Sequence, residues 1–185
     1  MAVILRMEPK STRMSWEEFC AKTKGSSIAI DGFINGPPNF DPKGPWANFD
    51  HHRGVDRLAT RATCGQVYVA IKQGLLSCFC NETGPQITVY ANHPDEDVSL
   101  SFFLLKWGYF SDVINSTLLK KLVMVADLLD TTFGTFPSMP ADILFLEQFG
   151  WVFEPYHQFR LSGRIDNNNM SEFSKVVTNI EGRIM

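Results

Sequence analysis

Asn48-Phe49-Asp50-His51-His52 puts a carboxylate and two imidazoles on consecutive backbone positions. On a strand end or in a tight loop such neighbours diverge, so one can bind a metal while the next faces a ligand. Carboxylate with imidazole suits Mn, Fe, Zn or Co better than Ca, which prefers all-oxygen sites. Alone, the triplet reads first as a solvated loop with two surface histidines. Its company shifts that reading. Asp31 closes the apolar run Ser27-Ile-Ala-Ile30, and His93, Asp95 and Asp97 follow the alternating run Gln86-Ile-Thr-Val-Tyr90. Asp127 and Asp130 sit at the end of a helical pattern. Carboxylates just past buried strands lie where open α/β sheets build their sites.

The elements that would position these groups can be traced in order. Ser15-Trp-Glu-Glu18 is a capping box and predicts a short helix from about Trp16 to Lys22. Ser27 to Ile30, bounded by Gly25, reads as a buried strand that delivers Asp31, with Gly32 behind it. Gly32 to Pro45 has loop composition, and Trp46 to Phe49 is a short extended piece leading into the triplet. From Arg57 to about Leu75, Val67, Ala70, Ile71 and Leu75 recur at helical spacing, with Gly74 as the stop. If that helix starts early enough, Arg53, Arg57 and Arg61 share one face, either solvated or clamping a phosphate.

Gln86 to Tyr90 reads as a second strand. His93, Asp95 and Asp97 alternate beyond it and share one face if the backbone stays extended. Glu96 and Asp97 suit a helix N-terminus equally, and Val98 to Lys106 follows with a helical apolar run. Ser116 or Thr117 caps a helix that ends near Asp127 to Asp130. Gly134 and Pro137 break the chain, and Pro140 predicts a helix over Ala141 to Phe149. Residues 150–169 read as a mixed stretch, and Asn169-Met-Ser-Glu172 caps a last helix that reaches the final residue.

With 185 residues, 44% hydrophobic and 20% charged, the chain has the balance of a soluble globular protein with a sizeable core. A net charge of −3 excludes a global positive field that would draw it onto long nucleic acid or an anionic membrane. A small phosphorylated ligand needs only local charge or metal, so that class stays open. Met1-Ala-Val-Ile-Leu-Arg6 is too short for a signal peptide, and no stretch approaches the ~20 apolar residues of a membrane-spanning helix. Cys20, Cys64, Cys78 and Cys80 fit neither a zinc knuckle nor a disulfide framework. These features predict a reduced, cytoplasmic protein with no membrane partner; they say nothing of its oligomeric state. The expected organisation is an α/β domain over 1–150, a mainly parallel sheet flanked by helices. A C-terminal extension over 151–185 would end in a helix and begin a missing region.

Together these residues resemble the DHH phosphoesterase superfamily. Its members include manganese-dependent pyrophosphatases, single-strand exonucleases, oligoribonuclease/phosphoadenosine phosphatases and cyclic-dinucleotide phosphodiesterases. The signature triplet corresponds to Asp50-His51-His52, and Asp31 matches the bridging Asp that precedes it. The His-x-x-x-Asp-x-Asp motif resembles Ala91 to Asp97, and the late Asp before Thr resembles Asp130-Thr131, with Asp127 second. The melanocyte-proliferating-gene-type nucleases are similar in two places. One is Asp31-Gly, Asn39-Phe-Asp-Pro42 and Phe49-Asp-His-His52; the other is His93-Pro-Asp-Glu96 ahead of Phe102-Phe-Leu-Leu105. The likeness covers about Ser27 to Pro137.

Two departures matter. The acid motif follows the triplet instead of opening the chain, which implies a circular permutation of strands. Ala91 stands where the phosphatases carry a His, which leaves His93 as the substitute. The resemblance thus implies a DHH-like α/β fold with circularly permuted motif order and two divalent metals. Mn comes first, with Mg, Co or Zn as alternatives. Asp95, Asp31 and His93 would hold one ion, and Asp97, Asp31, His51 and Asp130 the other, with Asp50 and Asp127 as further candidates. His52 would contact phosphate or protonate the leaving oxygen, and Arg53 or Arg57 would clamp the phosphoryl group. The implied function is hydrolysis of a phosphodiester or phosphoanhydride of a small nucleotide or short oligonucleotide. The alternative is a catalytically inactive nucleotide-binding or protein-interaction domain on the same fold.

Overall fold

The structure, a computed structural model, describes residues 2–9, 14–81, 84–132, 134 and 143–185. Four strands run parallel in the order β1 (Ala2–Met7), β6 (Gly84–Ala91), β2 (Ser27–Ile30) and β4 (Trp46–Phe49). β3 (Asn39–Asp41) joins antiparallel beyond β4, and β5 (Cys80–Asn81) pairs antiparallel with the start of β6. The fold is therefore α/β with a mainly parallel sheet, as the sequence predicts. Central parallel strands are covered on both faces and need no polar alternation. All four residues of β2 are accordingly buried.

The pleat sends alternate residues to opposite faces. Ile28, Ile30 and Val89 face the main core, built with α2 (Thr63–Lys72), α3 (Glu96–Trp107), α5 (Thr117–Thr131), α6 (Ile143–Leu161) and α7 (Met170–Ile184). Ala29 and Tyr90 face a smaller core, where Phe33 and Phe19 of α1 (Trp16–Lys22) meet the Tyr90 ring. A short helix α4 (Ser111–Ile114) links α3 to α5. The register levels Ile30 with Phe49 and Ala29 with Tyr90. Asp31, Asp50 and the segment after Ala91 thus leave the sheet at one carboxyl edge.

Several expectations need correction. β1 was hidden in an apolar start because its pairing partner β6 lies far along the chain, and β3, inside the expected Gly32 to Pro45 loop, is a three-residue edge strand that pairs back on the adjacent β4. The helix expected from Arg57 begins only at Thr63, so Arg53, Arg57 and Arg61 share no helix face. Residues 150–169 are not a mixed stretch throughout. α6 continues across Gly150 and Pro155 to Leu161, and only the 3-10 turn Arg164–Asn167 and its flanks are irregular. Phe149, Val152, Phe153, Tyr156 and Phe159 bury one face of α6, and that packing overrides the cost of a Pro inside a helix. Pro137 and the expected helix start at Pro140 to Asp142 lie outside the described residues. No described helix is long and apolar enough to cross a membrane.

Candidate metal centre

Asp50, His51 and His52 follow β4 directly, and each is fixed by a different device. Asp50 is fully buried; its Oδ1 accepts from His52 N at 2.9 Å and stands 3.0 Å from His52 Nδ1. Gln66 of α2 donates to the Asp50 carbonyl at 2.9 Å and to that of Arg61 at 2.7 Å, which ties the turn to the helix behind it. His51 points inward and is 1% exposed. Its Nε2 lies 2.7 Å from Asp130 Oδ2, 3.4 Å from Asp31 Oδ1 and 3.6 Å from Asp97 Oδ2. His52 stays partly exposed, with Nδ1 also 3.3 Å from Asp31 Oδ1.

Close approach has not produced hydrogen bonds here. His51 Nε2 and Asp130 Oδ2 are both buried, and neither has a hydrogen-bond partner among the described residues despite their 2.7 Å separation. Their contact is an ion pair without hydrogen-bond geometry, which offsets the cost of burying both charges only in part. Two overlapping groups of ligand atoms lie within 4.8 Å of one another: Asp31, His51 and His52, and His51, Asp97 and Asp130. The donor set and the orphaned atoms fit a divalent transition metal.

The electrostatics without metal are those of charges forced together. Burial raises the Asp31 pKa, and the Asp95 charge raises it further. Burial also pushes Asp97 well above the usual carboxylate range, with Asp31 adding to it. Burial opposes the His51 charge, but Asp130 and Asp31 outweigh it and raise the imidazole to about 10. Asp31 itself sits at φ +54, in the left-handed region that Asp and Asn tolerate better than most residues.

Two of the acids have a second occupation. α2 has Ala62 as its N-cap, which supplies no side-chain cap. Its free N–H groups donate instead to carboxylates on other helices: Ala62 N to Asp127 Oδ1 at 2.7 Å, Thr63 N to Asp97 Oδ2 at 2.7 Å and Cys64 N to Asp97 Oδ1 at 2.5 Å. This anchoring is why the helix starts at Thr63. The Thr63 hydroxyl also donates to Asp31 Oδ1 at 3.2 Å.

The remaining predicted residues are placed less centrally. Asp95 is the N-cap of α3, with Oδ1 accepting from Val98 N at 2.9 Å, and Asp97 lies in the first helical turn. His93, Asp95 and Asp97 therefore do not share an extended face, because the cap starts the helix between them. Burial opposes the Asp95 charge, but His93 and the Val98 N–H overcome it and lower the pKa. His93 Nδ1 stands 3.7 Å from Asp95 Oδ2, and its ring meets Tyr156 and Phe173 edge-on. Arg57 Nη2 reaches His51 Nδ1 and the Asp130 carbonyl, each at 3.4 Å, whereas Arg53 is exposed.

Sequence reasoning assigned no role to Thr63, Tyr156 or Arg160. Thr63 sits among apolar helix residues, and Tyr156 and Arg160 come from a helix the sequence did not predict to extend that far. Compared with protein-family models, curated proteins and solved structures, the chain matches none.

Proposed function

We propose that the chain is a divalent-metal-dependent phosphoesterase on a DHH-like fold with circularly permuted motif order. It hydrolyses a phosphodiester or phosphoanhydride of a small nucleotide or short oligonucleotide. The observation that carries the reading is His51: a buried imidazole whose Nε2 lacks a hydrogen bond while oxygens of Asp130, Asp31 and Asp97 lie within 3.6 Å. Burying such a cluster is costly unless something else satisfies it.

Asp31, His51, Asp97 and Asp130 would hold the metal, Mn by preference, with Asp95, His93 and His52 nearby for a second ion. Bound metal supplies Lewis acidity, a more acidic water and charge to offset that developing on a phosphoryl group. His52 has Nδ1 engaged by Asp50, so its Nε2 is the atom that can hand a proton to a leaving oxygen. The Asp50 contact also raises the His52 pKa, which favours the proton-carrying form. Arg57, beside the cluster, and Arg53, out in solvent, are the cations that would clamp phosphate.

One observation favours the inactive binding domain as the second reading: both Asp97 oxygens already accept backbone N–H groups. Counting Mn per chain and assaying bis(p-nitrophenyl) phosphate and di- to pentanucleotides separates the two. The expected result is one or two ions per chain, a raised melting temperature, turnover that a chelator abolishes, and loss of both in His51→Ala. Mn binding without turnover supports the inactive domain. No Mn binding at millimolar excess overturns the metal site.

A further inference from the structure

A cleft of about 400 Å³ opens beside the cluster. Asp97 and Asp130 belong to both, and Asp95 and Glu96 extend the acidic lining. Ala126 and Leu129 of α5 and Phe149 of α6 give it an apolar part, and α6 adds Tyr156 and Arg160. That volume lies within the roughly 300–1,000 Å³ of small-ligand sites. Arg160 is the one Lys or Arg among the described lining residues, against four carboxylates. Glu96 is engaged by His157 Nε2 at 2.7 Å. Burial pushes the Tyr156 hydroxyl up, and Asp95 and Glu96 push the same way, so it remains a neutral donor at neutral pH.

We propose that Arg160 is a specificity-determining residue of this site: it receives a terminal phosphate of a ligand whose other phosphoryl group lies at the acid cluster. The proposal rests on the phosphoesterase reading. A guanidinium presents planar paired donors that match phosphate oxygens. The acids repel any anion that metal does not shield, so Arg160 marks where a second anionic group is tolerated. The apolar residues between offer a surface for the organic body of the ligand. The competing role is plain charge balance, in which Arg160 offsets the carboxylates and touches no ligand.

Calorimetric binding to the Mn-loaded full chain distinguishes these roles without turnover. The probes are a dinucleotide with an uncleavable methylene-phosphonate linkage, with and without a 5′-phosphate. Wild type is expected to prefer the phosphorylated form by roughly tenfold to a hundredfold, the scale of a hydrogen bond to a charged group. Arg160→Met should lose that preference while keeping its affinity for the unphosphorylated form, its Mn stoichiometry and its melting temperature; Arg160→Lys should keep part of the preference. A preference that survives in Arg160→Met, or equal weakening of both probes, overturns the subsite. Equal binding of both probes by wild type overturns the subsite alone. Binding of neither probe, with Mn bound, overturns the phosphoesterase reading along with it.

Discussion

His51 is surrounded by groups that pull in different directions. Arg57 Nη2 stands 3.4 Å from its Nδ1, and a guanidinium can only donate. A metal held by His51 would add a second cation beside that guanidinium. Arg57→Met should therefore tighten Mn binding about fivefold, ~1 kcal/mol, in a competitive chelator titration. If Arg57 also clamps phosphate, the same variant loses turnover; weaker Mn binding would mean that Arg57 supports the ligand set. Asp31 allows a cleaner separation of charge from backbone. Asn tolerates the left-handed conformation as well as Asp does, so Asp31→Asn removes only the buried charge. Its melting temperature without metal should exceed the wild-type value, and Mn should raise it no further. Thermal melts with and without Mn decide both points.

Among the elements, α2 depends most on its neighbours, since its N-terminus rests on carboxylates from α3 and α5. Gly65 makes this approach feasible: a Cβ there would stand 2.9 Å from Asp127 Cγ and 3.0 Å from Oδ2. Gly→Ala inside a helix normally stabilises, but Gly65→Ala should cost about 1–3 kcal/mol by overpacking. Denaturant unfolding reads that sign directly, and a gain in stability would show that Asp127 can give way. α6 is tied to α3 through His157 and Glu96. The hydrogen bond to Glu96 raises the His157 pKa above its ordinary 6.5, although burial opposes it. Because the pKa is raised on folding, the contribution is complete below about pH 6.5 and is lost as pH climbs through the higher folded-state value. Both side chains are partly exposed, so it is worth under about 1 kcal/mol. Wild type should exceed His157→Gln in melting temperature at pH 6, and the gap should close by pH 9.

For the whole molecule, charge is the governing quantity. The net −3 and a pI near 5.8 give no long-range attraction to polyanions. The arginines near the cluster act only locally, and Arg61 already lies 3.7 Å from Asp127. Affinity for duplex DNA rests mainly on phosphate contacts and counterion release. Short oligonucleotides should therefore be turned over in preference to long duplex, as a competition assay at 50 and 200 mM salt would show. Tight duplex binding with a steep salt dependence would contradict this.

Local signals were legible from the sequence alone. The Ser15–Glu18 capping box, the apolar β2 run with Asp31 behind it, and the caps at Ser116 and Asn169 act within a few residues and fold as read. The triplet after β4 was legible for the same reason, and so was the gathering of acids beyond parallel strands. Tertiary structure alone decided how those acids are used. No local pattern says that Asp97 and Asp127 cap α2, because their partners lie 33 to 65 positions away. Nor does one say that α6 runs on through Pro155, since buried aromatic faces outweigh that residue's local preference. Arg160 reaches the cleft only because α6 is that long. Short-range chemistry fixes which groups sit at the sheet edge, and long-range packing fixes what each of them touches.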